Sequence, residues 1–179
     1  MSELVELWRQ AADKWSELYG RIAPGQWDEP TPCAGWTVRN LVDHTLAWQA
    51  KGASLLGADI AADESNWDRI RASYAALLAE PARLDGTVPE FAGIPKANLA
   101  GFLIGDLLIH SWDLARSIGG DDMLPPDVVA ATADGLQHVP PDLLRGTNPL
   151  GQKMMGPAVE VSGDASAQDK MLAFAGRTP

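Results

Sequence analysis

Four segments of the sequence repeat apolar residues at every third or fourth position, which places these residues on one face of an α-helix. The segments cover about residues 5–19, 38–56, 67–78 and 97–118. Helices with one apolar face must bury that face against each other, and this favours a helix bundle. No strand–helix–strand alternation is present, so a parallel α/β sheet is not expected. The predicted fold class is therefore all-α (mostly), as a four-helix bundle.

Capping residues indicate where these helices begin and end. The predicted caps are Ser2, Thr37 and either Ser65 or Asn66 at the beginnings, with Gly20 and Gly119 after the ends. Short polar side chains accept hydrogen bonds from the free amides of the first turn, whereas glycine adopts the left-handed conformation that ends a helix. The caps agree with the bounds that the apolar spacing indicates.

The remaining segments predict smaller elements. Residues 86–93 form either a small hairpin or an irregular crossover between helices. A short helix is expected at about 127–137, an extended stretch at 158–161 and a closing helix at 164–175. The 179 residues suffice for one hydrophobic core, so we expect a single domain, residues 1–179.

Composition narrows the class of function. The net charge of −10 repels phosphate backbones and anionic lipid, which argues against nucleic-acid or membrane partners. Cys33 is the only cysteine, so a disulfide within the chain and a zinc site made of several thiolates are excluded, and a reducing compartment is favoured. The first residues are acidic and no apolar run reaches about 20 residues, so we expect no signal peptide and no membrane span. The expected location is cytoplasmic.

Polar residues interrupt the apolar stripes of the second and fourth helices. Asp106 and His110 are four residues apart, so their side chains project from one helix face, which is the face of Leu103. His44 lies three residues after Leu41 in the second helix and faces inward too. We therefore expect the three polar side chains to meet inside the bundle.

Two interpretations of these three residues remain open. A carboxylate in a core needs a neutralising partner, and a divalent metal bound by His44, Asp106 and His110 would supply one. Three protein ligands leave one metal position open for water or substrate, and the N/O/N ligand set suits zinc, nickel, iron or manganese. Alternatively, Asp106 and His110 only bond each other, as i,i+4 pairs do, and His44 is an ordinary core histidine.

The residues around this group also allow two interpretations each. Asp43 and Asp113 either orient a histidine N–H or form surface salt bridges, and we predict the salt bridges. Cys33 is either a reactive thiol or a small packing residue, and we predict packing. Arg39 either contacts an anionic substrate or pairs with an acid, and the acid is the prediction.

Aromatic residues are the other candidates for a binding pocket. Trp36, Trp48 and Trp112 line a pocket in one interpretation and belong to the core in the other, which is the usual place for tryptophan in a bundle. Trp48 and Arg39 are retained as candidate substrate-binding or cofactor-binding residues. His138 has no matching partner in the sequence, and we expect it at the surface.

Two sequence motifs resemble a known family. The first runs from Trp27 to His44 (WDEPTPCAGWTVRNLVDH) and the second from Asp106 to Gly119 (DLLIHSWDLARSIG). Together with the closing stretch from Leu172 to Pro179, they resemble the N-terminal domain family of mycothiol-dependent maleylpyruvate isomerases, in the DinB-like superfamily of four-helix metalloenzymes.

The resemblance implies that His44, Asp106 and His110 bind a divalent metal, with zinc and nickel as the first candidates. It also implies mycothiol as a thiol cosubstrate and a small electrophile as substrate. The isomerase has Glu at the position of Asp106, and it carries a further C-terminal domain that these 179 residues do not include.

Three functions follow as hypotheses. The first is a metal-dependent thiol transferase or isomerase, with a low-molecular-weight thiol and a small molecule as partners. The second is a non-catalytic metal-binding or stress-associated bundle, and the third is a bundle with no metal. A homodimer is compatible with an exposed helix face, but no residue identifies an interface.

Overall fold

Long helices make up most of the chain in the computed structural model, which describes residues 3–140, 144–147 and 154–179. The helices are α1 (Glu3–Tyr19), α2 (Val38–Leu56), α3 (Trp67–Leu78), α4 (Lys96–Ile118), α5 (Pro126–Gln137) and α6 (Ala167–Phe174). The mostly helical fold is thus confirmed, and α1 to α4 begin and end at or next to the predicted bounds. Within the described ranges, every helix is too short or too polar to cross a bilayer.

Side-chain caps hold the helix ends as the sequence predicts. The Thr37 hydroxyl accepts a hydrogen bond from the Asn40 amide at 3.4 Å, and the Asn40 side chain accepts one from the Thr37 amide at 3.1 Å. Asn66, rather than Ser65, caps α3. α4 ends at Ile118, and the Gly119 that follows has the left-handed φ of 67°. Ser2 lies outside the described residues.

The segment between α3 and α4 forms a hairpin, which was one of the two predicted alternatives. Strand β1 (Thr87–Val88) pairs antiparallel with β2 (Ile94–Pro95). A 3-10 turn, Pro89–Phe91, connects them. Val88 and Phe91 are buried, so the hairpin packs against the bundle.

The closing helix starts later than the sequence predicts. α6 begins at Ala167, whereas the predicted start was residue 164. The Ser166 hydroxyl caps α6 by accepting a hydrogen bond from the Asp169 amide at 3.0 Å. The Ala165 amide donates a hydrogen bond to the Ser162 carbonyl, so the residues before Ser166 form a separate turn that is not part of the helix.

The predicted extended stretch at 158–161 has no strand partner within the described residues. The Val159 amide donates a hydrogen bond to the carbonyl of Ala173 in α6 at 2.9 Å. The stretch therefore lies against a helix, which cannot form the hydrogen-bond pairing of a β-sheet with it.

Close packing of α2 on α4 determines where the polar residues meet. The buried side chain of Gln49 donates a hydrogen bond to the Leu103 carbonyl at 2.9 Å, and the Tyr74 hydroxyl donates one to the Gln49 carbonyl at 3.1 Å. At Gly52 a Cβ atom would lie only 2.5 Å from Leu103 Cδ1, so the two helices approach each other where α2 has no side chain. This contact fixes the register of α2 along the middle of α4.

Candidate metal centre

One histidine of α2 and an acid–histidine pair of α4 meet inside the bundle. The ligand atoms of His44, Asp106 and His110 all lie within 4.8 Å of one another. His110 Nε2 is 3.7 Å from Asp106 Oδ1, and the two imidazole rings are edge to face with centroids 5.2 Å apart. The structure therefore brings together the three residues that the sequence singled out as metal ligands.

The cluster is buried on one side and accessible on the other. His110 is 7% exposed, whereas His44 and Asp106 are only partly buried. The side chains of His44 and Asp106 thus keep partial contact with solvent.

One carboxylate oxygen in the cluster has no partner. Asp106 Oδ2 is buried, and no described residue forms a hydrogen bond with it. An unsatisfied buried acceptor costs about 1–3 kcal/mol, and more if it is charged. A cation beside Asp106 would remove this cost, so the donor set fits a metal ion.

The electrostatics of the cluster also favour one positive charge. Burial lowers the pKa of His110, but the negative charges of Asp106 and Asp113 outweigh burial and raise it to about 10. Burial, and then the charge of His110, lowers the pKa of His44. In the absence of a metal, a proton on His110 therefore neutralises the acid, while His44 stays neutral.

Asp113 lies directly behind His110. It is fully buried and accepts a hydrogen bond from His110 Nδ1 at 2.9 Å. The Arg177 guanidinium donates two more, at 2.8 and 2.7 Å. Burial raises the pKa of Asp113, but the hydrogen bonds from Arg177 and His110 outweigh it and hold that pKa well below its usual range.

The prediction of a surface salt bridge for Asp113 is therefore wrong. Residues three apart on a helix are neighbours, which turns Asp113 toward His110 and the interior. Its ionic partner, Arg177, is 64 residues further along the chain, and helical spacing cannot indicate such a pair. Asp43, by contrast, is exposed.

The charge of Asp113 decides how His110 is protonated. An ionised carboxylate only accepts hydrogen bonds, so His110 Nδ1 must carry the hydrogen between them. The remaining nitrogen, Nε2, is the one beside Asp106. Once its own proton leaves, Nε2 has a lone pair with which it could bind a metal ion.

A second group, Cys33, His110 and Asp113, also has the spacing of metal ligands. Arg177 already places a permanent cation there, with one guanidinium nitrogen 3.4 Å from Cys33 Sγ and 2.7 Å from Asp113 Oδ2. This group needs no metal to balance its charge. The unpartnered oxygen of Asp106 instead favours the group that contains His44.

The loop before α2 covers one side of the cluster. Trp36 lies 4.7 Å from the His44 ring and 6.3 Å from the His110 ring, measured between centroids. The Trp36 amide bonds to the Cys33 carbonyl, and its carbonyl accepts from the Thr31 amide, both at 2.9 Å. The loop-to-helix motif thus positions an aromatic ring over both histidines.

Cys33 has a more specific place than the predicted packing role. Its thiol is partly buried and donates a hydrogen bond to Asp113 Oδ2 at 3.2 Å. It packs beside the core, as predicted, but it also belongs to the polar network behind His110.

The two candidate binding residues lie away from the cluster contacts described above. The Arg39 side chain is 55% exposed, with Asp28 at 3.9 Å and the Trp27 ring at 5.3 Å. Trp48 is buried and packs against Phe91 of the hairpin. A role of Arg39 or Trp48 in substrate binding stays a prediction.

The other aromatic and histidine candidates occupy ordinary positions. Trp112 is buried in the core. His138 is exposed and its Nδ1 lies 2.8 Å from the Asp134 carbonyl, as expected for a surface histidine.

A cavity of about 680 Å³ borders the acid of the cluster. Asp106 is part of its wall, and apolar side chains of α1, α4 and α5 form much of the rest: Leu7, Phe102, Ile109, Val128 and Leu136. Gly101 of α4 also lines it, and a Cβ atom there would meet open space. In the sequence, the two glycines Gly101 and Gly105 within α4 are only a weak indication of this cavity.

Comparisons with known proteins agree with the motifs. The sequence profile of the mycothiol maleylpyruvate isomerase N-terminal domain matches residues 8–88. Two relatives, the uncharacterized proteins Rv0738 and MT0763 of Mycobacterium tuberculosis strains H37Rv and CDC 1551, are each 25% identical over 178 residues, or 95% of both chains. No solved structure matches the chain significantly. The family resemblance is therefore confirmed: residues 8–88 match the mycothiol maleylpyruvate isomerase N-terminal domain, and the mostly helical fold is consistent with the DinB-like superfamily.

Proposed function

We propose that His44, Asp106 and His110 bind a divalent metal, and that the protein uses it as a thiol transferase or isomerase. The cosubstrate is a low-molecular-weight thiol of the mycothiol type, and the substrate is a small electrophile. The observation that carries the metal site is the buried, unpartnered Asp106 Oδ2 in a carboxylate that lies within 4.8 Å of two imidazoles.

The ligand set determines which metals are suitable. Two imidazole nitrogens and one carboxylate oxygen suit zinc or nickel, and they leave a position open for an exchangeable ligand. The thiol of Cys33 is not one of the proposed ligands, because it contacts Arg177 instead.

The chemistry divides between the metal and the chain. A divalent metal with an open position favours the thiolate form of a bound thiol, which is the nucleophilic form. His44, Asp106 and His110 act as ligands and transfer no proton in this scheme. Asp113 keeps the Nδ1 hydrogen of His110 in place, and Trp36 shields the two histidines from water on its side.

The proposed reaction starts with addition of the thiolate sulfur to an electron-poor carbon. The electron pair of the attacked double bond moves to the adjacent carbon, where the electron-withdrawing group of the substrate stabilises the resulting carbanion. Expulsion of the thiolate after rotation about the resulting single bond gives the isomer. Protonation of the carbanion by water, without expulsion, gives the thiol conjugate, and the proton that the thiol released to water balances the one taken up. The chain offers no side chain that we assign as a general base.

The cavity beside Asp106 supports a small substrate. Its volume of about 680 Å³ is in the range of small-molecule sites. The largely apolar wall suits a carbon skeleton with few charges, and the acids Glu3 and Asp134 at its lining disfavour anions. The choice of mycothiol rests on the family resemblance, and we propose that residues 1–179 act as one cytoplasmic domain.

Metal content is the first test. The protein is purified without an affinity tag or chelator, beside His44→Ala and His110→Ala, and analysed by elemental mass spectrometry. We expect near-stoichiometric metal in the wild type and none in either variant, with circular dichroism unchanged. Wild-type protein that is free of metal and also refuses added zinc, nickel and manganese would refute the metal site.

Activity is the second test. Metal-loaded protein is incubated with a thiol and a panel of electrophiles that either conjugate or isomerise, with His44→Ala as the control. Thiol-dependent turnover that the variant lacks supports an enzyme. Stoichiometric metal without turnover of any thiol and electrophile pair would support the non-catalytic metal-binding alternative.

A further inference from the structure

The network behind His110 extends to the C-terminal segment of the chain. We propose that Asp113 and Arg177 are positioning residues of the metal centre, which fix the His110 ring so that Nε2 is presented to Asp106 and His44. The inference rests on the proposed function for the role of His110 as a ligand, and it adds two residues that do not touch the metal.

The Arg177 guanidinium binds the Asp113 carboxylate in a bidentate arrangement. Its Nε donates to Asp113 Oδ1 at 2.8 Å, and a terminal nitrogen donates to Oδ2 at 2.7 Å. Two parallel hydrogen bonds fix the plane of the carboxylate as well as its position. Because Oδ2 also accepts from His110 Nδ1, the fixed carboxylate in turn determines the orientation of the imidazole ring.

Burial makes this arrangement rigid. The Asp113 side chain is fully buried, and that of Arg177 is only 13% exposed. Water therefore competes poorly for the three hydrogen bonds of the carboxylate. Cys33 adds a fourth donor to Asp113, so both carboxylate oxygens accept hydrogen bonds from the protein.

The backbone directs Arg177 inward. Its amide bonds to the Leu172 carbonyl at 2.9 Å, and one guanidinium nitrogen donates to the Ala175 carbonyl at 3.2 Å. Gly176 has a φ of +85°, and a Cβ atom there would lie 3.1 Å from backbone atoms of Gly156. This left-handed turn after α6 points the Arg177 side chain back into the bundle.

A buried ion pair alone would not imply a functional role. Apolar residues of similar size at the same positions often give a protein equal or higher stability. Here the pair is connected to a ring whose other nitrogen lies in the candidate metal cluster. A carboxylate that holds a ligating histidine from behind fixes the ring and increases its basicity, and losing it typically lowers metal affinity about 10- to 100-fold.

Two variants separate orientation from charge. Arg177→Lys keeps the positive charge but cannot donate two parallel hydrogen bonds to one carboxylate. Asp113→Asn keeps the shape but replaces one acceptor oxygen with a donor group. The matched control is Arg145→Lys, because Arg145 donates to the carbonyls of Gly156 and Phe174 in the same region and makes no contact with Asp113.

The affinity for zinc is measured by competition with a chromophoric chelator, and the Co²⁺ complex is compared by visible absorption. We expect Asp113→Asn to weaken zinc binding by about 10- to 100-fold, Arg177→Lys to weaken it less, and both to shift the Co²⁺ bands. Arg145→Lys should match the wild type. If Asp113→Asn does not fold, Arg177→Lys decides.

Unchanged zinc affinity and Co²⁺ spectrum in Arg177→Lys and in Asp113→Asn would overturn the inference. A wild type that binds no metal would refute the proposed function instead. In that case nuclear magnetic resonance of the metal-free protein tests the positioning. The Nδ1 proton of His110 should give a downfield, slowly exchanging signal that moves upfield in Asp113→Asn, and an identical signal in both proteins would overturn the inference.

Discussion

Replacing His44 with alanine should remove most of the effect of metal on stability and change the metal-free protein less. His44 is the proposed ligand on α2, whereas Asp106 and His110 both belong to α4. Without His44 a metal ion no longer links the two helices. In the metal-free protein the His44 ring is partly buried beside Trp36, and burial and the charge of His110 lower its pKa, so its loss removes some packing but no ion pair.

The magnitude follows from mass action. At zinc 100-fold above its dissociation constant, binding stabilises the folded protein by about 2.7 kcal/mol. For a chain of this size each kcal/mol raises the melting temperature by about 2–4 °C, which gives about 5–11 °C. If the variant binds zinc about 100-fold more weakly, the same zinc concentration contributes only about 0.4 kcal/mol, or roughly 1–2 °C. The metal-free stabilities should differ by no more than about 1 kcal/mol, which is the central cost of a single substitution.

Differential scanning calorimetry with chelator and with buffered zinc measures both quantities. His138→Ala is the matched control, because His138 is exposed and lies outside the cluster. It should retain the full increase in melting temperature. An equal increase in His44→Ala would contradict the ligand role of His44, and loss of the increase in His138→Ala would show that zinc acts at another place.

Three further predictions concern the proton on His110, the thiol of Cys33 and the contact of α2 with α4. Zinc binding should release a proton, because the pKa of His110 is about 10 without metal and a ligating Nε2 cannot keep its hydrogen. Apparent affinity then rises with pH up to that value, and calorimetry in buffers of different ionisation heats measures the release; no proton release at neutral pH would contradict it. Cys33→Ser should bind zinc like the wild type, and the Co²⁺ complex of the wild type should lack a sulfur charge-transfer band, whose presence would place the metal on Cys33 instead. Gly52→Ala should lower the free energy of unfolding in urea by about 1–3 kcal/mol, because its Cβ atom would overlap Leu103, and full stability would show that α2 and α4 can move apart.

The sequence predicts the parts of this protein that local rules govern. Apolar spacing and the caps Thr37, Asn66 and Gly119 define the helices, because each depends on residues within one or two turns. The group of His44, Asp106 and His110 follows from the same spacing, since all three interrupt stripes that must face the core.

The network behind His110 was beyond local rules. Arg177 pairs with Asp113 across 64 residues and contacts Cys33 across 144, and only the folded chain brings them together. A weak signal existed, because Arg177 lies in the closing stretch that resembles the family, and an arginine there has no acid at helical spacing to pair with. The cavity was equally hidden, because it is formed by the way α1, α4 and α5 pack.

The inward turn of Arg177 also affects how the protein opens locally. Terminal helices usually fray at little free-energy cost, and their amide protons exchange with solvent quickly. Unfolding of α6 would withdraw Arg177 and leave Asp113 buried beside His110 without its strongest partner. That penalty couples α6 to the central helices, so amide hydrogen exchange in α6 should be nearly as slow as in α4. The metal centre and the C-terminal helix would then form one cooperative unit, and a ligand at His110 would protect amides near Arg177 from exchange.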